Sequence, residues 1–287
     1  METIEEPIQT RFIASSEEEQ NYAAKRSEIT SRIVHISDLH FGPEFQTSVF
    51  EQAVDEINNI EPDVLVASGD LTENGLVSQY RSAKRSLDTI KCKKRVFCSG
   101  NHDYRSTGYL LFKEFFPGKP VLKEDGIVFA VISTARPERN EGEVGHRQVL
   151  WLDETFRKYK RLTKIAVIHH HLIQVPDTGP DNIPVIDAGD TLRTIIESKV
   201  RLVLGGHRHR PWRWTVGGTQ IIHAGTVSSE RTRGFYVHSY NIIDVSRDTI
   251  DARLKIVGSK RLIGFNEVLK GRVRLPSIVE SETRKQT

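Results

Sequence analysis

The amino-acid sequence predicts an α/β protein in which two sheets pack together with helices outside. Three observations predict it. From Arg32 onward, short apolar runs of strand length alternate with segments whose apolar residues recur at helical spacing. From Thr215 the pattern becomes strand after strand, an antiparallel run. No linker or repeat divides residues 32–258, so 31–258 reads as one domain. It is flanked by an N-terminal extension (1–30) and a basic C-terminal tail (259–287).

Residues 1–30 carry seven Glu and three basic residues, and a short helix around 17–26 is expected there. RIVHIS (32–37) reads as a strand and SDLHFGP as the turn after it. Val49, Phe50, Ala53, Val54 and Ile57 recur at helical spacing, which predicts a helix over 46–60. DVLVAS (63–68) is a buried strand, 77–90 a helix and RVFCS (95–99) a strand. GIVFAVIST (126–134) is a strand, 146–159 a helix with an apolar stripe, and KIAVIHHH (164–171) a strand. A loop over 174–190 holds three Pro, two Gly and four Asp, a composition that excludes a regular helix or strand. A short helix (192–199) and the strand VRLVLGG (200–206) follow it. The last runs are WTVGG, TQIIHAGT, FYVHSYNIIDV and TIDARLKIV.

Composition excludes several classes. Among 287 residues, apolar types at 37% together with 20 Gly approach the ~45–50% of globular chains. No apolar run reaches the ~18–20 residues of a membrane span, and the acidic start METIEEPIQTRFIASSEEEQ does not read as a secretory signal. A net charge of +3, from 41 basic and 38 acidic residues, is too even to imply a nucleic-acid partner, and none is expected. Cys92 and Cys98 read as reduced thiols of a cytoplasmic protein rather than a disulfide framework. Residues 255–287 hold eight basic and three acidic residues, a net of +5, and read as a solvated tail or surface wrap.

Five polar clusters lie just beyond the C-terminal ends of apolar strands. They are Asp38-Leu39-His40, Gly69-Asp70, Gly100-Asn101-His102-Asp103, His169-His170-His171 and Gly206-His207-Arg208-His209. Ligands bind at that edge in open α/β sheets, because loops converge there on rigid strands. One such cluster is an ordinary turn; five in this order are not coincidence. Carboxylates, an Asn amide oxygen and neutral imidazoles, with no thiolate, suit Mn, Fe, Zn or a similar divalent ion. Seven ligand candidates exceed the need of one ion. Two ions roughly 3.5–4 Å apart would make a site for in-line displacement at phosphorus.

In order and spacing, these five clusters resemble the motifs of the calcineurin-like metallophosphoesterases. The text VHISDLHFG, GDLTENG, FCSGNHD and VLGGHRHRPW is most similar to bacterial class III cyclic-nucleotide phosphodiesterases. The resemblance implies a four-layer α/β/β/α sandwich of two packed mixed sheets with a dinuclear metal site at the strand C-terminal ends. It implies that Asp38, His40 and His209 hold the first ion, that Asn101, His169 and His207 hold the second, and that Asp70 bridges them. His102 is then the catalytic imidazole and Asp103 the carboxylate that orients it. Where many relatives have His-His-Pro, this chain has His169-His170-His171; His169 is taken as the ligand because it directly follows the strand.

The expected cofactors are two divalent metal ions, Mn or Fe first, with Zn or Mg as alternatives. The expected partner is a small phosphate-ester substrate, and a homodimer is left open. The expected reaction is attack of a metal-bridging hydroxide on a phosphodiester, a cyclic 3′,5′-nucleotide first, with His102 assisting the leaving alkoxide. The alternatives are a pyrophosphohydrolase acting on a nucleotide-linked lipid precursor and a non-catalytic binding protein on the same fold. His35 is expected in the core or beside the ligands, and His146, His223 and His238 away from substrate. Arg208 is read as facing either a phosphate oxygen or solvent. Trp212 and Trp214 are read as covering a core edge rather than stacking on a base. The 174–190 loop is expected to wall the substrate cleft without supplying a ligand, its Asp residues disfavouring highly anionic leaving groups.

Overall fold

The structure is a computed structural model and describes residues 29–179, 183–233 and 237–269. Its strands form two six-stranded mixed sheets. In the first half, β1 (Ser31–Ile36), α1 (Thr47–Ile60), β2 (Val64–Ala67), α2 (Val77–Asp88) and β3 (Lys94–Phe97) alternate as the sequence predicts. A one-turn 3₁₀ helix (His102–Tyr104), α3 (Gly108–Phe115) and β4 (Val121–Glu124) follow. The next elements are β5 (Ile127–Val131), α4 (His146–Lys158), β6 (Thr163–Val167), α5 (Ala188–Glu197) and β7 (Leu202–Gly205). The chain ends in β8 (Trp212–Val216), β9 (Thr219–His223), β10 (Ser239–Val245), β11 (Ile250–Ile256), β12 (Leu262–Gly264) and α6 (Phe265–Leu269).

Sheet order is β12-β11-β10-β1-β2-β3 in one layer and β4-β5-β6-β7-β9-β8 in the other. Strand residues alternate between two cores. Ile33, Val64 and Val66 from the first sheet meet Ile127, Phe129, Ile165, Leu202 and Leu204 from the second in a buried cluster between the sheets. Their neighbours Val34, Leu65 and Ala67 point the other way, onto Phe50, Ala53 and Ile57 of α1 and Tyr80 of α2. Val128, Ala166 and Val203 likewise point onto Leu152 and Phe156 of α4 and Ile195 of α5. Three stacked cores require four layers. They also explain why the strands read as unbroken apolar runs: both faces are covered.

The structure departs from the sequence reading in four places. The late strands are not one antiparallel run: β9 lies between β7, to which it is parallel, and β8, to which it is antiparallel. β10 to β12 join the other sheet. Second, α5 begins at Ala188, inside the segment expected to be wholly irregular; residues 180–182 of that loop lie outside the described residues. Third, β12 pairs with β11 and Phe265 of α6 is buried against the inter-sheet core, so ordered structure runs past residue 258 into the expected tail. Fourth, α3 and β4 occupy a stretch in which no element was expected. The expected helix around 17–26 lies outside the described residues. Cys92 and Cys98 are free and buried. Among the described residues no helix is long and apolar enough to cross a membrane.

Candidate metal centre

The parallel strands β1 and β2 of one sheet and β6 and β7 of the other deliver their C-terminal loops to one edge, where the loops interlock. Asp38 N–H donates to Gly69 O at 3.0 Å and His40 N–H to Asp70 O at 2.9 Å. The two sheets are joined where His207 N–H donates to the Asp38 carboxylate at 3.0 Å from Oδ2. Asp38, His40, Asp70, His207 and His209 all have positive φ, between 51° and 71°. Backbone in that region is costly for residues other than Gly and persists where the surroundings over-determine it, which is common at functional sites. Two glycines make room. Gly69 has φ +109°, and a Cβ on it would stand 2.4 Å from His169 Nδ1. A Cβ on Gly100 would stand 2.1 Å from Asp70 Oδ1.

The structure brings all seven ligand candidates together, six of them buried and His207 partly so. Asp38, His40 and His209 form one group able to hold an ion, and Asp70, His169 and His207 another. His209 Nε2 lies 3.4 Å from Asp38 Oδ1 and 3.0 Å from His40 Nε2. In the second group His169 Nε2 lies 3.2 Å from Asp70 Oδ2. The same Asp70 oxygen is 3.7 Å from His40 Nε2, so it faces both groups. Asn101 Oδ1 sits 3.0 Å from His207 Nδ1. Within the histidine triplet, both ring nitrogens of His170 are held elsewhere, by the Thr134 hydroxyl at 2.7 Å and Asn140 O at 3.0 Å. His171 is buried beside the His207 ring.

The charge of this cluster suits a cation. Burial works against ionisation of Asp70, but the charges of His169 and His102 outweigh it and hold the carboxyl well below its ordinary range. Burial likewise disfavours a charge on His169, yet Asp70 and Asp38 hold its pKa up to about 9. Burial and neighbouring imidazoles push His207 and His209 well below 6.5, leaving both neutral with lone pairs to offer. A proton on His169 thus stands where positive charge is wanted, and an arriving divalent ion would displace it. The donor set of carboxylate, amide oxygen and imidazole fits such an ion.

Glu73, which the sequence reading passed over, supports both halves of the site. Its Oε2 accepts from His40 Nδ1 at 2.7 Å and lies 3.4 Å from His102 Nδ1. Its Oε1 pairs with Arg231 Nη2 at 3.2 Å and Arg105 Nη1 at 3.4 Å. A carboxylate on Nδ1 fixes the tautomer that points Nε2 of His40 into the metal group. Burial opposes its ionisation, but hydrogen bonds from His102 and His40 hold the carboxyl well below the usual range. Its signal in sequence was a bare Glu three residues after Asp70, inside a turn.

The role expected for Asp103 is corrected. Its carboxylate does not meet the His102 ring; it accepts from the N–H groups of Leu71, Thr72 and Gly100 and from the Thr72 hydroxyl. Asp103 therefore ties the 69–72 loop to the 100–103 loop. Burial, with the charge of Asp70, pushes its pKa up to about 6 against those donors. His102 is oriented by Glu73, whose carbonyl oxygen accepts from Nδ1 at 2.9 Å, while Arg105 Nη2 approaches Nε2 at 3.1 Å.

Arg208 also differs from expectation. It is 4% exposed rather than facing solvent, and its Nε donates to Thr178 Oγ1 at 3.1 Å while Nη2 donates to Thr178 O. Arg210 pairs with Asp177 at 3.2 Å and Trp214 Nε1 donates to Gln174 O at 3.1 Å. The start of the 174–190 loop is thus stitched to the segment carrying His207 and His209. Three of the loop's four Asp residues are engaged: Asp177 as above, Asp187 by the N–H groups of Val144 and Gly145, and Asp190 by Arg193. His35 is core, bonded to Ser68 Oγ at 2.8 Å and to Asn241.

Comparison with known proteins accords with this geometry. The sequence model of the calcineurin-like phosphoesterases matches residues 31–211. A protein of Synechococcus named probable cyclic nucleotide phosphodiesterase is 28% identical over 192 residues, covering 63% of this chain and 74% of that one. A protein of Mycobacterium tuberculosis named cAMP/cGMP dual specificity phosphodiesterase is 24% identical over 258 residues, 81% of each chain. The crystal structure of a dimetal phosphatase from Danio rerio shares the fold with TM-score 0.60 at 16% identity, covering 83% of this chain and 99% of that one. With its matched segment ending two residues after His209, this dinuclear metal-dependent phosphoesterase belongs to the calcineurin-like phosphoesterase family.

Proposed function

We propose that the protein is a phosphodiesterase whose preferred substrate is a cyclic 3′,5′-nucleotide. The observation that carries the two-ion reading is Asp70 Oδ2, which faces His40 Nε2 on one side and His169 Nε2 on the other. On this reading Asp38, His40 and His209 hold one ion, Asn101, His169 and His207 the other, and Asp70 both; Mn or Fe is the first choice. Ions bound there supply Lewis acidity, which lowers the pKa of a water and neutralises the non-bridging phosphate oxygens. The names of the two relatives support a cyclic nucleotide as substrate. Buried, unpaired Cys92 and Cys98 accord with a reducing, cytoplasmic location.

The chain's own residues complete the step. Water adds to phosphorus, the P–O3′ bond breaks, and the leaving alkoxide needs a proton. Glu73 O occupies Nδ1 of His102, so Nε2 is the atom that delivers that proton, once Arg105 Nη2, 3.1 Å from it, turns from the ring to the substrate anion. Burial disfavours a charged His102, but Asp70 and Glu73 outweigh it and raise its pKa above 6.5, which keeps the acid form available near neutrality. Arg105 and Arg231, half-buried beside Glu73, offer positive charge to the substrate anion.

The test is one Mn-loaded preparation assayed against cyclic AMP, bis(p-nitrophenyl) phosphate, p-nitrophenyl phosphate and a diacylglucosamine nucleotide, with bound metal counted per chain. The highest kcat/KM is expected with cyclic AMP. A preference for the lipid nucleotide would replace this reading with pyrophosphate hydrolysis. No turnover of any ester with two ions bound would make the protein a binding module.

A further inference from the structure

A cavity of about 330 Å³ opens beside the site, between the end of β3, the end of β5 and helix α3. Its walls are aromatic: Phe97, Tyr104, Phe112 and Phe116, with the Phe97 and Phe116 rings 4.9 Å apart. Its polar atoms form a chain of hydroxyls. Ser99 Oγ lies 3.1 Å from Ser133 Oγ, and the Ser133 hydroxyl donates to the Tyr104 oxygen at 3.3 Å. That arrangement leaves the Tyr104 phenol proton to be offered to an acceptor. Two exposed lysines, Lys113 and Lys119, also line the cavity.

We propose that this cavity is a binding site for a small aromatic anion, distinct from the metal centre and coupled to it. The volume sits at the low end of the ~300–1,000 Å³ of ligand pockets, enough for one aromatic nucleus with an acidic substituent. Aromatic walls favour a planar ring by offset or edge contacts, the phenol proton and serine hydroxyls hydrogen-bond polar ring substituents, the phenol as donor, and the lysines select negative charge. Coupling follows from placement. Tyr104 ends the 3₁₀ turn that His102 begins, and Ser99 directly precedes Gly100 and Asn101. A ligand pressing on Tyr104 and Ser99 therefore moves the two residues the reaction needs most. A nucleoside monophosphate, the product class of the proposed reaction, and a plain aryl carboxylate share this chemistry.

Gly118 supplies a clean test. It lines the cavity, its φ is not positive, and a Cβ there meets no atom within 4 Å, so Gly118→Trp can fill the cavity without strain in the backbone. The probe is naphthalene-1-sulfonate, titrated by its own fluorescence against the metal-loaded protein, with AMP and salicylate as competitors. Saturable binding of one probe per chain is expected, abolished by Gly118→Trp and weakened roughly five-fold by Lys119→Glu, the size of one exposed charge contact. Saturating probe should also change kcat for bis(p-nitrophenyl) phosphate in the wild type, while Gly118→Trp, measured against its own rate without probe, should show no response to it. Displacement by AMP identifies a nucleotide as the ligand, displacement by salicylate an aryl carboxylate. Absence of saturable binding, equal binding to Gly118→Trp, or binding with no effect on kcat overturns the proposal. Because the readout is an aryl diester, none of these outcomes depends on cyclic nucleotides being the substrate.

Discussion

At the scale of single residues, Glu73 and His102 separate the two tasks of the centre. Glu73 touches no reacting atom on the present geometry; it holds His40 Nδ1 and both arginines. Glu73→Gln keeps the shape and one acceptor but loses the charge that draws the His40 proton. Metal affinity should fall by roughly 10–100-fold, the usual cost of a lost carboxylate behind a ligating histidine. Metal titration followed by calorimetry checks it, and unchanged affinity would reduce Glu73 to a packing residue. His102→Ala should act differently. Turnover of a poorly activated diester drops by about 10²–10⁴-fold, the range for a lost general acid, while two ions per chain remain bound. An aryl diester, whose leaving group needs little protonation, should suffer less; equal losses on both substrates would remove His102 from the role of acid.

At the scale of elements, the 174–190 loop and the segment after His207 behave as one unit. Arg208 is buried between two ligand candidates and gives its Nε and Nη2 to Thr178. Arg208→Ala should cost roughly 1.5–3 kcal/mol, the range for a hydrogen bond to a charged group, because the Thr178 carbonyl is left without that donor. The ligand backbone is held independently through His207 N–H on Asp38. Metal content should therefore persist while the relative kcat/KM values of different diesters change. Loss of metal on this substitution would show that the ligand segment depends on the loop. Identical ratios would make the loop a plain connector.

At the scale of the whole molecule, two buried strand histidines, His35 on β1 and His223 on β9, resist protonation. Burial, with the charge of His223, takes His35 down to about 3; burial takes His223 down to about 4. Both are free to take a proton near 6.5 when unfolded. The stabilisation is therefore complete above about pH 6.5 and is lost progressively as pH falls toward 3 or 4. Between pH 7 and 5 the loss is about 2 kcal/mol for each such histidine. Urea melts of the chelator-treated protein at those two pH values check it, with His35→Gln expected to flatten the slope. A slope unaffected by His35→Gln would remove His35 from the acid sensitivity. Chelation itself should lower Tm at pH 7.5, since ions that bind only the folded loops stabilise by mass action.

Much of this was legible in the sequence, for definite reasons. Strands covered on both faces read as unbroken apolar runs, and polar residues that end such runs, as Asp38, Asp70, His169 and His207 do, must lie at a common edge of parallel strands. Helices α1 and α4, on opposite outer faces, declared themselves through a 3.6-residue stripe. What stayed hidden depends on contacts between distant segments. Glu73 looks like any turn glutamate until His40 and Arg231 are folded against it. Asp103 looks like a partner for the adjacent His102, yet its geometry serves the 69–72 loop 31 or 32 positions away. Arg208 looks exposed because it sits between polar neighbours, and is buried because Thr178 comes to it. β9 slips between β7 and β8 because pairing partners are chosen by the whole sheet rather than by order along the chain. Periodicity and strand ends are local properties that one stretch of sequence carries alone. The partner of a carboxylate or guanidinium is not, so only the tertiary structure decided it.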